Sequence, residues 1–281
     1  MSIWMKGIDV ANAMKETLIA KTDQLKENGI TPCITIIRVG NRPDDLAYER
    51  GAKKKMETIG ITCHVMELSE DILQKDLEQV VKKVNDDKNV HGILLFRPLP
   101  NHLDEAAIKK ILNPAKDIDC MTDVNIAKVF AGDDSGYAPC TAEAVVEMLE
   151  YNGIALSGKN VTIVGRSMVV GRPLAMMLLK RNATVTICHT KTEDLVKICR
   201  EAEILIAAAG SARMITPDMV GDGAVVVDVG INVDEEGNLC GDVDFDHVEK
   251  KASYISPVPR GVGSITTSVL AKHVVLAATK Q

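Results

Sequence analysis

Residues 161–173 of this 281-residue chain, VTIVGRSMVVGRP, leave the fold little freedom. A β-branched run ends at Gly165, a turn containing Arg166 and Ser167 follows, and an apolar-striped segment over 174–179 begins just after Gly171 and Pro173. That order is a strand, a tight glycine turn and a helix start. Backbone N–H groups at a helix N-terminus converge on an anion and the helix dipole adds to the attraction, so such a turn can seat the phosphates of a dinucleotide. The spacing is G-x5-G rather than G-x-G-x-x-G. By itself it also fits a turn whose glycines only let strand and helix backbones approach, with Ser167 as a helix N-cap.

The rest of the chain repeats this alternation. Apolar residues at helical spacing over 10–27 stop at Asn28-Gly29. The run 33–39 (CITIIRV) reads as a strand before the turn Gly40-Asn41-Arg42-Pro43. Helix 44–58, strand 61–68, helix 72–84, strand 92–96 and helix 103–112 follow. Residues 113–137 are rich in Asp, Pro, Asn and Gly and poorly periodic, which predicts a functional loop region between two lobes. Thr141 is placed to cap a helix over 142–152. A second series runs through strand 161–164, a helix from Gly171, strand 184–188, helix 194–201 and strands 204–208 and 224–229. A Pro/Gly loop, 256–263, and a closing helix, 265–279, complete it. Strands separated by helices of this length predict parallel sheets covered on both faces.

Composition narrows the function. The length is comfortable for two domains, and with 46% hydrophobic but only 3% aromatic residues the core must be aliphatic. A net charge of −6, with no basic stripe interleaved with aromatics, argues against a nucleic-acid partner. Apolar runs such as 204–209 are too short to span a bilayer, and the first residues lack the apolar core of an export signal, so no membrane partner is expected. Seven scattered cysteines without a C-x-x-C pair predict reduced thiols in a cytoplasm and no metal site.

The strand after the glycine turn ends at Cys188-His189-Thr190-Lys191-Thr192. NAD-specific folds usually place an acidic residue there for the ribose 2′-OH. Hydroxyls and cations, with Arg166 in the turn, suit a 2′-phosphate instead, so NADP is the expected cofactor and NAD the alternative. Further motifs are Tyr48, Gly92-Ile93-Leu94 with Pro98-Leu99-Pro100, Lys116-Asp117 with Asp119, and Pro139-Cys140-Thr141. The second half adds Val227-Asp228-Val229-Gly230-Ile231-Asn232, Gly241-Asp242-Val243, and Pro257-Val258-Pro259 with Gly261-Val262-Gly263. In this order and spacing the chain resembles the methylenetetrahydrofolate dehydrogenase/cyclohydrolase (FolD) family over nearly its whole length. The resemblance implies an α/β fold of two parallel-sheet lobes with a cleft, the second a Rossmann-type dinucleotide-binding domain, and a homodimer. It implies a folate-binding catalytic domain over 1–141, an NAD(P)-binding domain over 142–263, and a C-terminal helix, 264–281, returning to the first. Cofactor contacts fall on Gly165, Arg166, Ser167, Gly171, Thr190 and Ile231. Contacts to a tetrahydrofolate-type substrate fall on Tyr48 (also the catalytic position), Ala52, Phe96, Asp119, Pro259, Gly261 and Val262.

The departures from the family pattern lie almost entirely on the folate side. A Lys four residues after the Tyr, on the same helix face, is Ala52 here, and Lys53 points ~100° away. The Gln before the Pro-Leu-Pro motif is Phe96, the Asp-Gly-Phe triplet is Asp119-Cys120-Met121, a Ser before the Tyr is Asp45, and the loop Pro-Gly-Gly-Val-Gly-Pro is Pro259-Arg260-Gly261-Val262-Gly263-Ser264. Hydride transfer needs no protein proton donor, whereas hydrolysis of the methenyl product needs general acid–base help. The expected enzyme is therefore a dehydrogenase of one-carbon metabolism with weak or absent cyclohydrolase activity. The alternatives are a fully bifunctional enzyme in which another amine stands in, and a catalytically degenerate dinucleotide-binding paralogue with a regulatory role. Lys53–Lys55 is read as a solvated helix face, and Cys120 and Cys140 as inert thiols.

Overall fold

Two parallel sheets organise the chain, and their strands are the short apolar runs of the sequence. The computed structural model describes residues 2–280. In chain order the elements are β1 (Ile3–Trp4), α1 (Gly7–Glu27), β2 (Cys33–Val39), α2 (Pro43–Ile59), β3 (Thr62–Leu68), α3 (Gln74–Asp86), β4 (Gly92–Leu95), α4 (Glu105–Ile111), α5 (Asp123–Ala131) and α6 (Cys140–Tyr151). There follow β5 (Asn160–Val164), α7 (Gly171–Lys180), β6 (Thr184–Cys188), α8 (Leu195–Arg200), β7 (Ile204–Ala207), β8 (Val225–Asp228), β9 (Asn232–Val233), β10 (Leu239–Cys240), α9 (Phe245–Val248), β11 (Tyr254–Ile255) and α10 (Thr266–Lys280).

Two compact units result. The first comprises Ala13–Val129, Asp133–Cys140 and Thr267–Gln281; the second comprises Met1–Asn12, Phe130–Gly132 and Thr141–Thr266. The first twelve residues thus group with the second unit, not with the domain of 1–141 read from the sequence. The cause is a backbone pairing: β1 runs parallel to β11, with Ile3 opposite Tyr254 and Trp4 opposite Ile255. Trp4 adds an edge-on contact to Phe245, centroids 5.1 Å apart, and donates its indole N–H to Glu249.

The first unit is built on the sheet β3-β2-β4, all parallel. Every residue of β2 is buried, and with β-branched residues at five of its seven positions it forms the sheet centre. Leu77, Val81 and Val84, one stripe of α3, close one face against Ile37, Ile93 and Leu95. Helix α2 starts with Pro43 in its first turn and ends at Gly60, in the left-handed region at φ 85°. Over 113–137 the sequence pattern offers only loop, yet Asp123–Ala131 form α5. Its entry is set by Asp117, whose carboxylate accepts N–H from Met121 and Thr122, the Thr122 hydroxyl and the Asn125 amide. Polar capping does the work that apolar periodicity does elsewhere. Helix α6 begins at Cys140, so Thr141 lies within it, and the cap is Asp119, which accepts the Cys140 N–H at 2.9 Å. Helix α3 starts at Gln74 rather than at 72 as read from the sequence, with Leu73 as its exposed N-cap residue.

The second unit carries the parallel sheet β1-β11-β8-β7-β5-β6, with the antiparallel ribbon β10-β9 beside it. Val164, Cys188, Leu205, Val226 and Ile255 form its aliphatic core. Helix α10 with the turn before it, Val262–Lys280, is long and apolar enough by composition to cross a membrane, but two thirds of it is buried within the protein, as in a core helix.

One ion pair is unusual in being buried. Arg38, at the fully buried end of β2, donates to Glu49 of α2 at 2.8 Å, both side chains being at most a tenth exposed, and also engages Gly40, Asn41 and Glu67. Removing one partner of such a pair leaves an uncompensated buried charge. We expect Arg38→Leu to lower stability by about 3–5 kcal/mol in denaturant unfolding, and Arg38→Leu with Glu49→Leu to recover much of that loss. Equal stability of the single variant and the parent would show that the pair is not needed.

Candidate functional site

In the first unit the substrate-side candidates gather around the C-terminal end of β4 and the start of α2. Tyr48 and Phe96 meet edge to face, centroids 5.7 Å apart at 81°. Tyr48 is partly exposed, whereas Phe96 and Ala52 are buried, Ala52 completely. Their geometry is held by charges that the sequence alone did not flag. Arg42 pairs with Asp45 through two N–H donors at 2.8 and 3.0 Å, and also donates to the carbonyls of Arg97 and Pro98. The Asp that replaces the family's Ser therefore has a structural partner: it orients the arginine that ties the start of α2 to the loop following Phe96. Lys53 and Lys54 are exposed, as a solvated face should be, and Lys55 is half-buried, with its pKa lowered by burial and by Lys15.

Asp119 ends the segment after the bridge between Ile93 and Asp117. Burial of its carboxyl group pushes its pKa above the usual carboxylate range. The Cys140 N–H and thiol, and the positive potential of Arg97 and His273, act in the other direction. Cys120 beside it is buried and left-handed at φ 57°, and burial pushes its thiol up to about 12, so it is inert at neutral pH.

In the second unit the glycine turn has a steric cause. Gly165 stands at φ 131°, and a Cβ there would lie 2.0 Å from the Ala208 carbonyl oxygen; a Cβ on Gly171 would lie 2.0 Å from that of Gly165. Both glycines are required for β5, β7 and α7 to come together, whatever the turn binds. Ser167 is not the N-cap of α7, a position held by Val170; its hydroxyl accepts the Val170 N–H and closes a turn ahead of the helix. Arg166 and Ser167 are exposed. After β6, His189 donates its N–H to the Thr192 hydroxyl and accepts that of Lys191 at Nδ1, so the tip is a self-tied turn with Thr190 and Lys191 exposed.

Two buried carboxylates shape the remaining loops. Asp228, at the end of β8, accepts N–H from Gly230, Asp242 and Val243; burial pushes its pKa up to about 6, against those three bonds. Asp242 accepts N–H from Ala209, Gly210 and Ser211 and the Asn232 amide. Gly230 and Gly241 are needed because a Cβ on either would fall within 2.2 Å of one of these carboxylate oxygens. Ile231, largely exposed, and Pro259, Gly261 and Val262 border a cavity of about 240 Å³ with Asp228 and Gly230. Arg260 holds φ 82° where the family has glycine. The role of Asp228 and Asp242 was readable only as motif matches, since a sequence does not show which acids are buried. No group of three or more potential metal ligands occurs among the described residues.

These arrangements have close counterparts among known proteins. Residues 5–119 match the model of the tetrahydrofolate dehydrogenase/cyclohydrolase catalytic domain, and residues 139–281 match that of the NAD(P)-binding domain of the same enzymes. A bifunctional protein FolD of Clostridioides difficile is 58% identical over 277 residues, covering 99% of this chain and 96% of that protein. The crystal structure of the bifunctional enzyme FolD from Campylobacter jejuni matches with a TM-score of 0.97 at 40% identity, covering 100% of this chain and 99% of that one. The methylenetetrahydrofolate dehydrogenase-cyclohydrolase of Trypanosoma brucei, solved with NADP and an inhibitor, matches at 0.93 and 33% identity, covering 99% and 98%. Two domain models span most of the sequence and relatives match it end to end: the chain belongs to the tetrahydrofolate dehydrogenase/cyclohydrolase family, as an NAD(P)-dependent methylenetetrahydrofolate dehydrogenase.

Proposed function

We propose that this enzyme oxidises 5,10-methylenetetrahydrofolate to 5,10-methenyltetrahydrofolate with NADP, and hydrolyses that product weakly or not at all. The observation that carries the reading is the fully buried Ala52 one turn along α2 from Tyr48, with the Phe96 ring against the phenol. An amine and an amide at those positions would supply proton transfer; a methyl group and a phenyl ring supply none. Tyr48 is the polar group left at this point, and Asp119 offers two acceptor oxygens for the paired N–H donors of a pterin ring. Pro259, Gly261 and Val262 complete the substrate contacts.

Bound NADP supplies the hydride acceptor. The developing methenyl cation is stabilised by the folate's own nitrogen lone pairs, so the residues' part in the oxidation is orientation and exclusion of water. Hydrolysis adds water, removes its proton and breaks a C–N bond, and loss of general acid–base assistance typically costs ~10²–10⁴-fold. Gly165, Arg166, Ser167, Gly171, Thr190 and Ile231 form the proposed cofactor site. Exposed Arg166 and Lys191, with no acidic residue at the tip of β6, favour a 2′-phosphate over a bare ribose. The reading includes a homodimer in a cytoplasm, supported by the family resemblance and the scattered cysteines.

A second reading, full bifunctionality, is favoured by the names of the relatives, which carry both activities. It needs another amine, and Lys55, two turns from Tyr48 with a lowered pKa, is the one on α2 with suitable chemistry.

Incubated with methylenetetrahydrofolate and NADP, the enzyme should accumulate methenyltetrahydrofolate in step with NADPH, seen as separate absorbances. Enzyme-dependent decay of added methenyltetrahydrofolate at a rate matching hydride transfer would establish the second reading. Ala52→Lys combined with Phe96→Gln should then raise hydrolysis by at least ~10²-fold while hydride transfer reports retained folding. Separately, Arg166→Ala and Lys191→Ala should each raise KM for NADP by ~10-fold or more and leave KM for NAD nearly unchanged. Parallel losses for both nucleotides would remove the 2′-phosphate assignment.

A further inference from the structure

We propose that His273, on the C-terminal helix, is a positioning residue for Asp119, and so sets affinity for the folate substrate without touching it. The inference rests on the assignment of Asp119 to the pterin ring made above.

His273 is 2% exposed, in a helix whose neighbouring residues Val269, Leu270, Val274 and Ala277 are buried and apolar. An imidazole in such a place must be hydrogen-bonded. Its Nδ1 lies 2.8 Å from the Ile118 carbonyl oxygen, the oxygen of the peptide bond that leads into Asp119. A carbonyl only accepts, so Nδ1 carries the proton and donates. The same nitrogen is 3.8 Å from the Cys140 Sγ, which itself lies 3.5 Å from the Ile118 oxygen. Cys140 in turn donates its backbone N–H to the Asp119 carboxylate at 2.9 Å. The ring therefore engages both the residue before Asp119 and the residue that holds its carboxylate.

A second anchor follows the same route. Tyr137 packs on the imidazole, centroids 5.4 Å apart, and donates its hydroxyl to the Ala115 carbonyl, while Lys280 of α10 sits 5.1 Å above the phenol ring. The segment 115–119 is thus fixed at two carbonyls by groups belonging to or packed against α10. A carboxylate that must meet two parallel N–H donors tolerates little displacement, and a ground-state contact of this kind is read in KM rather than in kcat. Charge adds to position. The groups that bear on the Asp119 carboxyl are Arg97, His273 and Cys140, and the positive potential of the first two favours its ionised form.

The test is steady-state kinetics of His273→Leu and His273→Asn, varying each substrate in turn. Wild-type turnover of methylenetetrahydrofolate examines the proposed function on its own, before any variant is compared. Given that turnover, His273→Leu should raise KM for methylenetetrahydrofolate by ~10-fold or more, with kcat and KM for NADP within about twofold of wild type. His273→Asn, whose amide can donate to the same carbonyl, should recover most of the loss at pH 8. Loss of the imidazole's positive potential lets the Asp119 pKa rise further, so as pH is lowered KM should begin to climb at a higher pH in His273→Asn than in wild type. A wild-type KM in His273→Leu, or a His273→Asn enzyme as impaired as His273→Leu with an unshifted pH profile, would overturn the proposal.

Discussion

A carboxylate buried at the C-terminal end of a parallel sheet must be satisfied by backbone N–H groups, and in the second unit Asp228 and Asp242 together fix the loops at the ends of β7 and β8. Asp228 and Asp242 each accept three backbone N–H groups, from 209–211, 230 and 242–243. Neither could keep those bonds if Gly230 or Gly241 carried a side chain. The desolvation that raises the Asp228 pKa is opposed by the same bonds, so loop geometry and carboxylate charge support each other. The loops so fixed include the one bearing Ile231 and bordering the cavity with Pro259 and Gly261.

The first unit solves a comparable problem with paired charges. Arg38 with Glu49, and Arg42 with Asp45, tie α2 to the end of β2 and to the loop following β4. Helix α2 carries Tyr48 and Ala52, and the loop follows Phe96, so the ion pairs bear on the edge-to-face contact of Tyr48 with Phe96. The desolvated Arg38–Glu49 pair does more for geometry than for net stability, while Arg42 remains partly exposed.

The fold was largely legible, because β2, β5, β6, β7 and β8 are apolar runs bounded by turn residues, and periodicity finds such elements directly. The elements that escaped were ordered by something other than periodicity. Helix α5 depends on Asp117 and Asn125, the earlier start of α6 at Cys140 on a cap from a residue some twenty positions before it, and two-residue strands such as β1 and β11 on pairing alone. On the candidate site, the glycine turn, Tyr48 and Asp119 are proposed from motif order, and Ala52 and Phe96 as departures from the family pattern; the structure adds where each lies. His273 could not be found this way. A histidine in an apolar helix carries no pattern, and its relation to Ile118 exists only once distant parts of the chain have folded together.

The pairing of β1 with β11 has a consequence for how the protein is made. The strand Ile3–Trp4 finds its place only beside Tyr254–Ile255, a partner far along the sequence. During synthesis β1 therefore has no pairing partner until β11 has followed it. Non-local pairings of this sort pay their loop-closure entropy late and slow the final step of folding. The sheet of the second unit thus gains its outer strand only when this distant pairing closes, and until then Phe245 and Glu249 lack their Trp4 contacts.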